Sequence, residues 1–268
     1  MTMNSTRGFT MVEAIVVIAI TGIVAVATAS FIRAPIQGYV DAARRGELTD
    51  LADTALRRMT RDVRSALPNS IRITTAGGVT YLEYLQTSGG GRYRADVDSS
   101  GGGDVLDFTT ADSSFDVIGP MPALAAGDSI VVYNLNSAPS IATSNAYFGD
   151  NRAAYASATA STLTLAAAKL FPFSSPGKRF QVVQYAVTYA CNPVAGELRR
   201  YWNYGITTAQ PTPPATTNNA LLAQNVAACS FTYSEVNQRT AVLALNLQVT
   251  KGGESVTLFQ QVHINNVP

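Results

Sequence analysis

Residues 8–32 read GFTMVEAIVVIAITGIVAVATASFI. From Ala14 to Ile32 no side chain carries a charge. A helix over these nineteen residues is about 28 Å long at 1.5 Å per residue, close to the ~30 Å hydrocarbon layer of a bilayer. One carboxylate, Glu13, stands at the head of the run. A charge there is costly in lipid and calls for a partner. Only Arg7 precedes the run, so orientation by positive charge rests on one residue.

Three readings fit an N-terminal apolar run. A cleaved secretory signal has small-x-small sites available at Ala25-Val26-Ala27 and Ala27-Thr28-Ala29. A single-pass anchor needs only the length. A processed leader has a short basic segment ending in Gly, then Phe, then an acid five residues into the product. Glu13 separates them, because a secretory signal gains nothing from it. On the first helical turn the dipole favours an anion. Cleavage between Gly8 and Phe9 would create an α-amine about one turn before it.

The pattern continues beyond the apolar run. From Tyr39 to Leu67 the spacing predicts an amphipathic helix, with Leu48, Leu51, Ala55, Met59, Asp62/Val63 and Leu67 at steps of three and four. Pro68-Asn69-Ser70 should end it, and Pro35 and Gly38 should kink or loosen it. Its apolar residues should divide between the sheet and neighbouring subunits.

Composition narrows the function classes. The 268 residues carry 19 Lys+Arg and 18 Asp+Glu, a net charge of +1, which argues against nucleic-acid binding by bulk electrostatics. Charged residues make up 14% and apolar ones 47%, so the chain has a core and a weakly charged surface. One His and two Cys leave little for a His/Cys metal site. No G-x-S-x-G, S-x-x-K or H-E-x-x-H arrangement occurs, and no enzymatic activity is expected.

The segment Gly8-Phe9-Thr10-Met11-Val12-Glu13 and the run behind it resemble the type IV pilin class of pilins, minor pilins and type II secretion pseudopilins. That class usually has Leu where Met11 stands. Arg57 to Arg72 and the ending Gln261 to Pro268 are similar to the MshO-type minor pilins of the mannose-sensitive haemagglutinin (MSHA) pilus. The resemblance implies a leader over residues 1–8, a transmembrane and filament-core helix over 9–35, and an amphipathic helix plus β-rich body over 36–268. It implies an α+β, pilin-like fold: a long N-terminal helix packed on an antiparallel sheet, with room for a second sheet. It further implies cleavage by a prepilin peptidase at Gly8/Phe9, N-methylation of Phe9, and Glu13 as the register residue of assembly. Implied partners are other minor pilins, the major pilin and an inner-membrane assembly platform. The body would lie in the periplasm of a Gram-negative bacterium before moving to the filament or its tip. A type II secretion pseudopilin and a glycan-binding tip adhesin remain open alternatives.

In the body, alternation predicts about ten strands: a hairpin over Ile71 to Leu85 turning at Gly77-Gly78, then Val105 to Thr110, Ser129 to Leu135, Thr162 to Leu165, Gln181 to Ala190, Glu197 to Tyr204, and a closing antiparallel series from Phe231 to Asn265 with a Gly252-Gly253 turn. Gly89-Gly90-Gly91 and Gly101-Gly102-Gly103 should bound a loop. Asp116 to Pro120 should lead into a turn, and Ala138 to Ala160 should be irregular.

Cys191 and Cys229 are the two cysteines, and in an exported body an even count favours a disulfide over two buried thiols. Asp96, Asp98, Ser100, Asp104 and Asp107 fall at loop positions 1, 3, 5, 9 and 12 of a calcium-type loop with Gly101 at position 6. Ser100 is a poor ligand at its position and Asp107 replaces the usual Glu, so a polar hairpin tip competes, with no cofactor required. Arg199, Arg200 and Trp202 have the composition of a partner or glycan surface, although Trp202 also suits a core. His263, in the last strand, reads as structural.

Overall fold

A computed structural model describes residues 8–237 and 239–268. Leader residues 1–7 lie outside the described residues. The chain divides into two compact units, one ending at Glu47 and one from Leu48 to Pro268.

One helix, α1 (Met11–Val63), includes Pro35. In the first unit the large apolar side chains from Phe9 to Val40 are uncovered, with Ile18 72% and Phe31 86% exposed. An 18-residue stretch of the helix has a mean hydropathy of 2.6, and the helix is long and apolar enough to cross a membrane. In the second unit the last turns of α1 behave differently. Leu48, Ala52, Ala55, Leu56, Met59 and Val63 are buried in one core, with Leu51 partly buried against it. The expected division of these side chains with neighbouring subunits is therefore corrected: their own body takes them up.

The helix stops at Val63, four residues short of the expected end. The N–H groups of Ser65 and Ala66 reach back three residues to Asp62 and Val63. The next backbone groups then pair with a strand, Leu67 N–H with the Leu85 carbonyl and Thr87 N–H with that of Ser65. Sheet pairing replaces the next helical turn.

Twelve strands follow: β1 (Arg72–Ala76), β2 (Val79–Tyr93), β3 (Asp112–Ile118), β4 (Ser129–Val132), β5 (Arg152–Ala158), β6 (Thr162–Lys169), β7 (Arg179–Asn192), β8 (Glu197–Tyr204), β9 (Asn219–Gln224), β10 (Val226–Asn237), β11 (Thr240–Lys251) and β12 (Glu254–Asn265). Nine form one antiparallel sheet in the order β1-β2-β3-β6-β5-β4-β7-β8-β9, and β10-β11-β12 form a second. The α+β, pilin-like expectation with a second sheet is what the structure shows.

The large sheet has a feature that local patterning does not contain. β2 also pairs with β7, from Thr80↔Cys191 to Arg92↔Arg179. Pairing therefore runs from β2 through β3, β6, β5, β4 and β7 and returns to β2. This closed circuit encloses its own core, including Phe115, Ile130, Leu163, Phe171, Phe180 and Val182. The second half of β7, with β8, β9 and the three-stranded sheet, belongs to the other core, over the end of α1.

Several sequence expectations are corrected here. Gly89-Gly90-Gly91 is not a loop boundary but part of β2, opposite Phe180 to Val182. A Cβ on Gly90 would lie 2.6 Å from the Phe180 carbonyl oxygen, and one on Gly91 would lie 2.7 Å from the Phe180 ring. Glycine is needed because strand and aromatic ring approach too closely for any side chain. Val105 to Thr110 is not a strand, since Asp107 gathers Thr109 and Thr110 into a turn. Asp116 to Ile118 ends strand β3, with Phe115 and Val117 turned into the core, and the expected change of direction follows at Gly119-Pro120. The stretch expected to be irregular contains β5, and β9 adds an unanticipated strand beside β8.

Candidate functional site

The calcium-type loop holds its oxygens on separate partners. Asp98 Oδ1 accepts the N–H groups of Ser100 and Gly102, both at 2.8 Å. Those N–H bonds hold its carboxyl below the usual carboxylate range. Asp96 pairs with Lys178 at 2.6 Å, and Asp104 Oδ2 accepts from Ser114 Oγ at 2.6 Å. Asp107 accepts from the hydroxyls of Thr110 and Thr109 and from the Thr109 N–H. Ser100 is exposed. Among the described residues no group of three or more His, Cys, Asp or Glu side chains is placed to hold a metal ion.

The Arg199, Arg200 and Trp202 group is split by strand alternation. Arg199 lies half-buried, its Nε on Glu197 Oε2 at 2.7 Å and its Nη1 on Asn219 at 3.0 Å. Arg200 points the other way and is buried, against the expectation of a partner surface. Its Nε donates to Asp62 Oδ2 at 2.9 Å, and its guanidinium carbon is 5.1 Å from the Trp202 ring centre. Tyr189 donates its hydroxyl to the same Asp62 oxygen at 2.6 Å. Trp202 is half-buried against the core over α1. The sequence holds no local signal for this network, because its members are far apart in the chain.

A second buried charge pair was also illegible. Arg72 donates to Glu83 Oε1 from Nε at 3.0 Å and from Nη2 at 2.7 Å, and lies 3.6 Å from the centre of the Tyr147 ring. Burial raises the Glu83 carboxyl pKa, with Arg72 acting in the opposite sense.

Cys191 and Cys229 form a disulfide that joins β7 to β10, with Cα atoms 6.6 Å apart. The pairing expected from the cysteine count is present. It ties the two sheets together at the core they share. A cleft of about 630 Å³ opens elsewhere, among Asn69, Tyr133, Arg179, Glu235 and Arg239. None of the candidate calcium, partner-surface, disulfide or processing residues lines it.

At the N-terminus the geometry follows the sequence closely. Gly8 and Phe9 precede the helix, both exposed, with Phe9 76% open. Thr10 caps α1: its Oγ1 accepts the Glu13 N–H at 3.3 Å, and its carbonyl accepts the Ala14 N–H at 3.1 Å. Thr10 and Glu13 have the spacing of a capping box, a signal that reading for processing alone passes over. The exposed Glu13 sits on the first turn, where orphan N–H groups and the dipole favour a carboxylate. Residues 3–29 match the prokaryotic N-terminal methylation motif. The chain thus carries a type IV pilin-like leader, whose matched segment includes Gly8, Phe9, Glu13 and most of the apolar run. No curated protein and no solved structure shows significant similarity to the chain. The pilin-like leader implies a prepilin peptidase and other pilins as assembly partners, and its apolar helix suits anchoring in a membrane.

Proposed function

We propose that this chain is a minor pilin of an MSHA-like type IV pilus, a non-enzymatic subunit that acts in initiation of assembly at or near the tip. The observation that carries this is the N-terminal geometry. An open Gly8-Phe9 junction precedes a capped helix whose first turn holds Glu13 and whose apolar side chains have no cover of their own. Before assembly that helix lies in the inner membrane, with the body in the periplasm. A prepilin peptidase cuts after Gly8 and methylates the new α-amine of Phe9. In the filament, apolar packing alone is poorly directional, because lipid tails are as apolar as the side chains. The Glu13 carboxylate, paired with the Phe9 amine of this or an adjacent subunit, supplies the register. Leaving that carboxylate unpaired in the filament core costs several kcal/mol.

The large body, with its additional closed sheet circuit, suits a terminal position better than a repeating shaft. Deletion of the gene tests the machine as well as the role. Few or no pili with secretion of exoproteins intact is the expected result. Normal pili with secretion lost would overturn the proposal in favour of a pseudopilin.

A further inference from the structure

The face of the large sheet turned away from α1 carries a small pocket. On β2, β7 and β8 the side chains of Leu82, Tyr189, Cys191 and Leu198 enter the core over the helix end. Alternation turns their neighbours Tyr81, Ala190 and Arg199 to the opposite face. These three stand in one row, since Tyr81 pairs with Ala190 and Ala190 with Arg199. Ala190 is the short member. Its methyl group forms the floor of a gap two strand spacings wide, about 10 Å, between the longer side chains. Tyr201, the next outward residue on β8, closes one end of the gap. Asn192 and Glu197, paired with each other, close the other end. The loop after β8 supplies the rim. Gln210 donates to the Tyr81 carbonyl at 3.1 Å and accepts from Thr74 Oγ1 at 2.8 Å, and Pro213 of the same loop lines the pocket. The pocket measures about 230 Å³.

Its polar groups are mixed and sum to no charge. Arg199 and Glu197 neutralise each other, with Nε 2.7 Å from Oε2. An anion would meet Glu197 and a cation Arg199, so no ion gains net Coulomb energy here. The Tyr81 side chain is buried, and Tyr201 is half-buried. Among the described residues neither the Tyr81 nor the Tyr201 hydroxyl has a hydrogen-bond partner. The described side-chain polar atoms sealed off without a partner belong to Thr60, Ser144 and Asn151, so both hydroxyls are open to the pocket. Burial, with Tyr201 beside it, raises the Tyr81 phenol pKa and keeps that hydroxyl a neutral donor. The Asn192 amide uses its oxygen on the Ala195 N–H at 3.0 Å and keeps its NH2 group. An apolar ligand would strip water from these groups and give nothing back.

We propose that this pocket binds one pyranose ring of a neutral sugar. A pyranose carries hydroxyls that both donate and accept, as the two phenols, the amide and the paired Arg199 and Glu197 require. Its C–H faces match the apolar parts of Tyr81, Tyr201, Val79 and Pro213. The volume lies below the roughly 300–1,000 Å³ of sites for drug-sized ligands, which limits the occupant to one ring. So few atoms bind weakly, with a Kd on the order of 1 mM. The site goes beyond the assembly role, which uses none of these residues.

The test uses the full-length chain in a sugar-free zwitterionic detergent, read by saturation-transfer NMR. The probes are methyl glycosides of glucose, galactose, mannose and N-acetylglucosamine. Methyl glucuronide and methyl 6-amino-6-deoxyglucoside are their charged counterparts. At least one neutral glycoside should bind, and more tightly than either charged one. Tyr81→Phe and Tyr201→Phe remove only a hydroxyl, and each should weaken binding about threefold to tenfold. Ala190→Leu fills the floor and should abolish binding, while Ala154→Leu, exposed on β5, should leave it unchanged. Two sources share this chemistry, and both outcomes support the site. A disaccharide that binds as well as its terminal monosaccharide marks the end of a glycan chain, and binding of the monosaccharide alone marks a free sugar. Failure of every neutral glycoside to bind a chain whose Cys191–Cys229 bond has formed would overturn the proposal. So would tighter binding of a charged sugar, or undiminished binding in Ala190→Leu or in both Phe variants.

Discussion

Arg200, on β8, reaches Asp62 in the last turns of α1, with Nε 2.9 Å from Oδ2. Their side chains are 10% and 20% exposed, and Tyr189 donates to the same carboxylate. The pair fixes the rotation of the helix end on the sheet. Asp62→Ala would leave a guanidinium buried without a counter-ion, which costs about 3 kcal/mol. The expected result is a lower denaturant midpoint with an unchanged slope. Replacing both residues by apolar ones of similar volume should recover most of the loss.

Glu13→Gln keeps the shape of the first turn and removes the charge. Membrane insertion and cleavage after Gly8 should persist, because Thr10 still caps the helix through the Glu13 backbone N–H. Pili counted by electron microscopy should fall in number more than in length. A bulky residue at Gly8 should instead block processing, read as an unmethylated, longer N-terminus by mass spectrometry. A normal count from processed Glu13→Gln protein would remove Glu13 from the register role.

The Cys191–Cys229 bond closes a chain separation of 38 residues. Intact mass should rise by about 2 Da on reduction. Loss of the bond should lower stability by about 3–4 kcal/mol on the loop-entropy estimate. Cys191→Ser/Cys229→Ser, followed by urea titration, measures it. Two thiols that alkylate without reductant would contradict the bond.

Gly90→Ala and Gly91→Ala place a Cβ within 2.6–2.8 Å of Phe180 atoms. Each should cost about 1–3 kcal/mol through overpacking. At Gly91 the two nearest atoms belong to the Phe180 ring, whereas at Gly90 they are the Phe180 carbonyl oxygen and the Gln181 side-chain oxygen, so Phe180→Leu should rescue Gly91→Ala better than Gly90→Ala.

Asp116 sets a pH dependence. The Asp104 N–H, the Thr162 hydroxyl and Arg94 all hold its carboxyl below the usual carboxylate range. Its contribution is complete above the unfolded carboxyl value of about 3.9 and is lost as pH falls through the lower folded value. Asp116→Asn should therefore be less stable at pH 7 and lose less on acidification below about pH 4. Identical acid slopes for the two proteins would refute this.

The sequence by itself determined the leader, the long helix and the turns at Gly77-Gly78 and Gly252-Gly253. Each is a local matter: a run of apolar residues, a 3.6-residue period, or a backbone angle only glycine takes easily, as at Gly78 with φ 78° and Gly253 with φ 89°. The presence of β8, β11 and β12 was also legible, because side chains alternate between a more and a less covered face, and that of β7 because a long apolar run marks a strand covered on both faces. The tertiary structure alone decided that β2 and β7 pair along their length and close a circuit around a second core. It alone put Gly89-Gly90-Gly91 inside a strand and turned Arg200 inward to Asp62 rather than outward. Such choices depend on which distant residue arrives opposite. A period of two tells which face is buried, but it does not name the strand or the charge that will cover it.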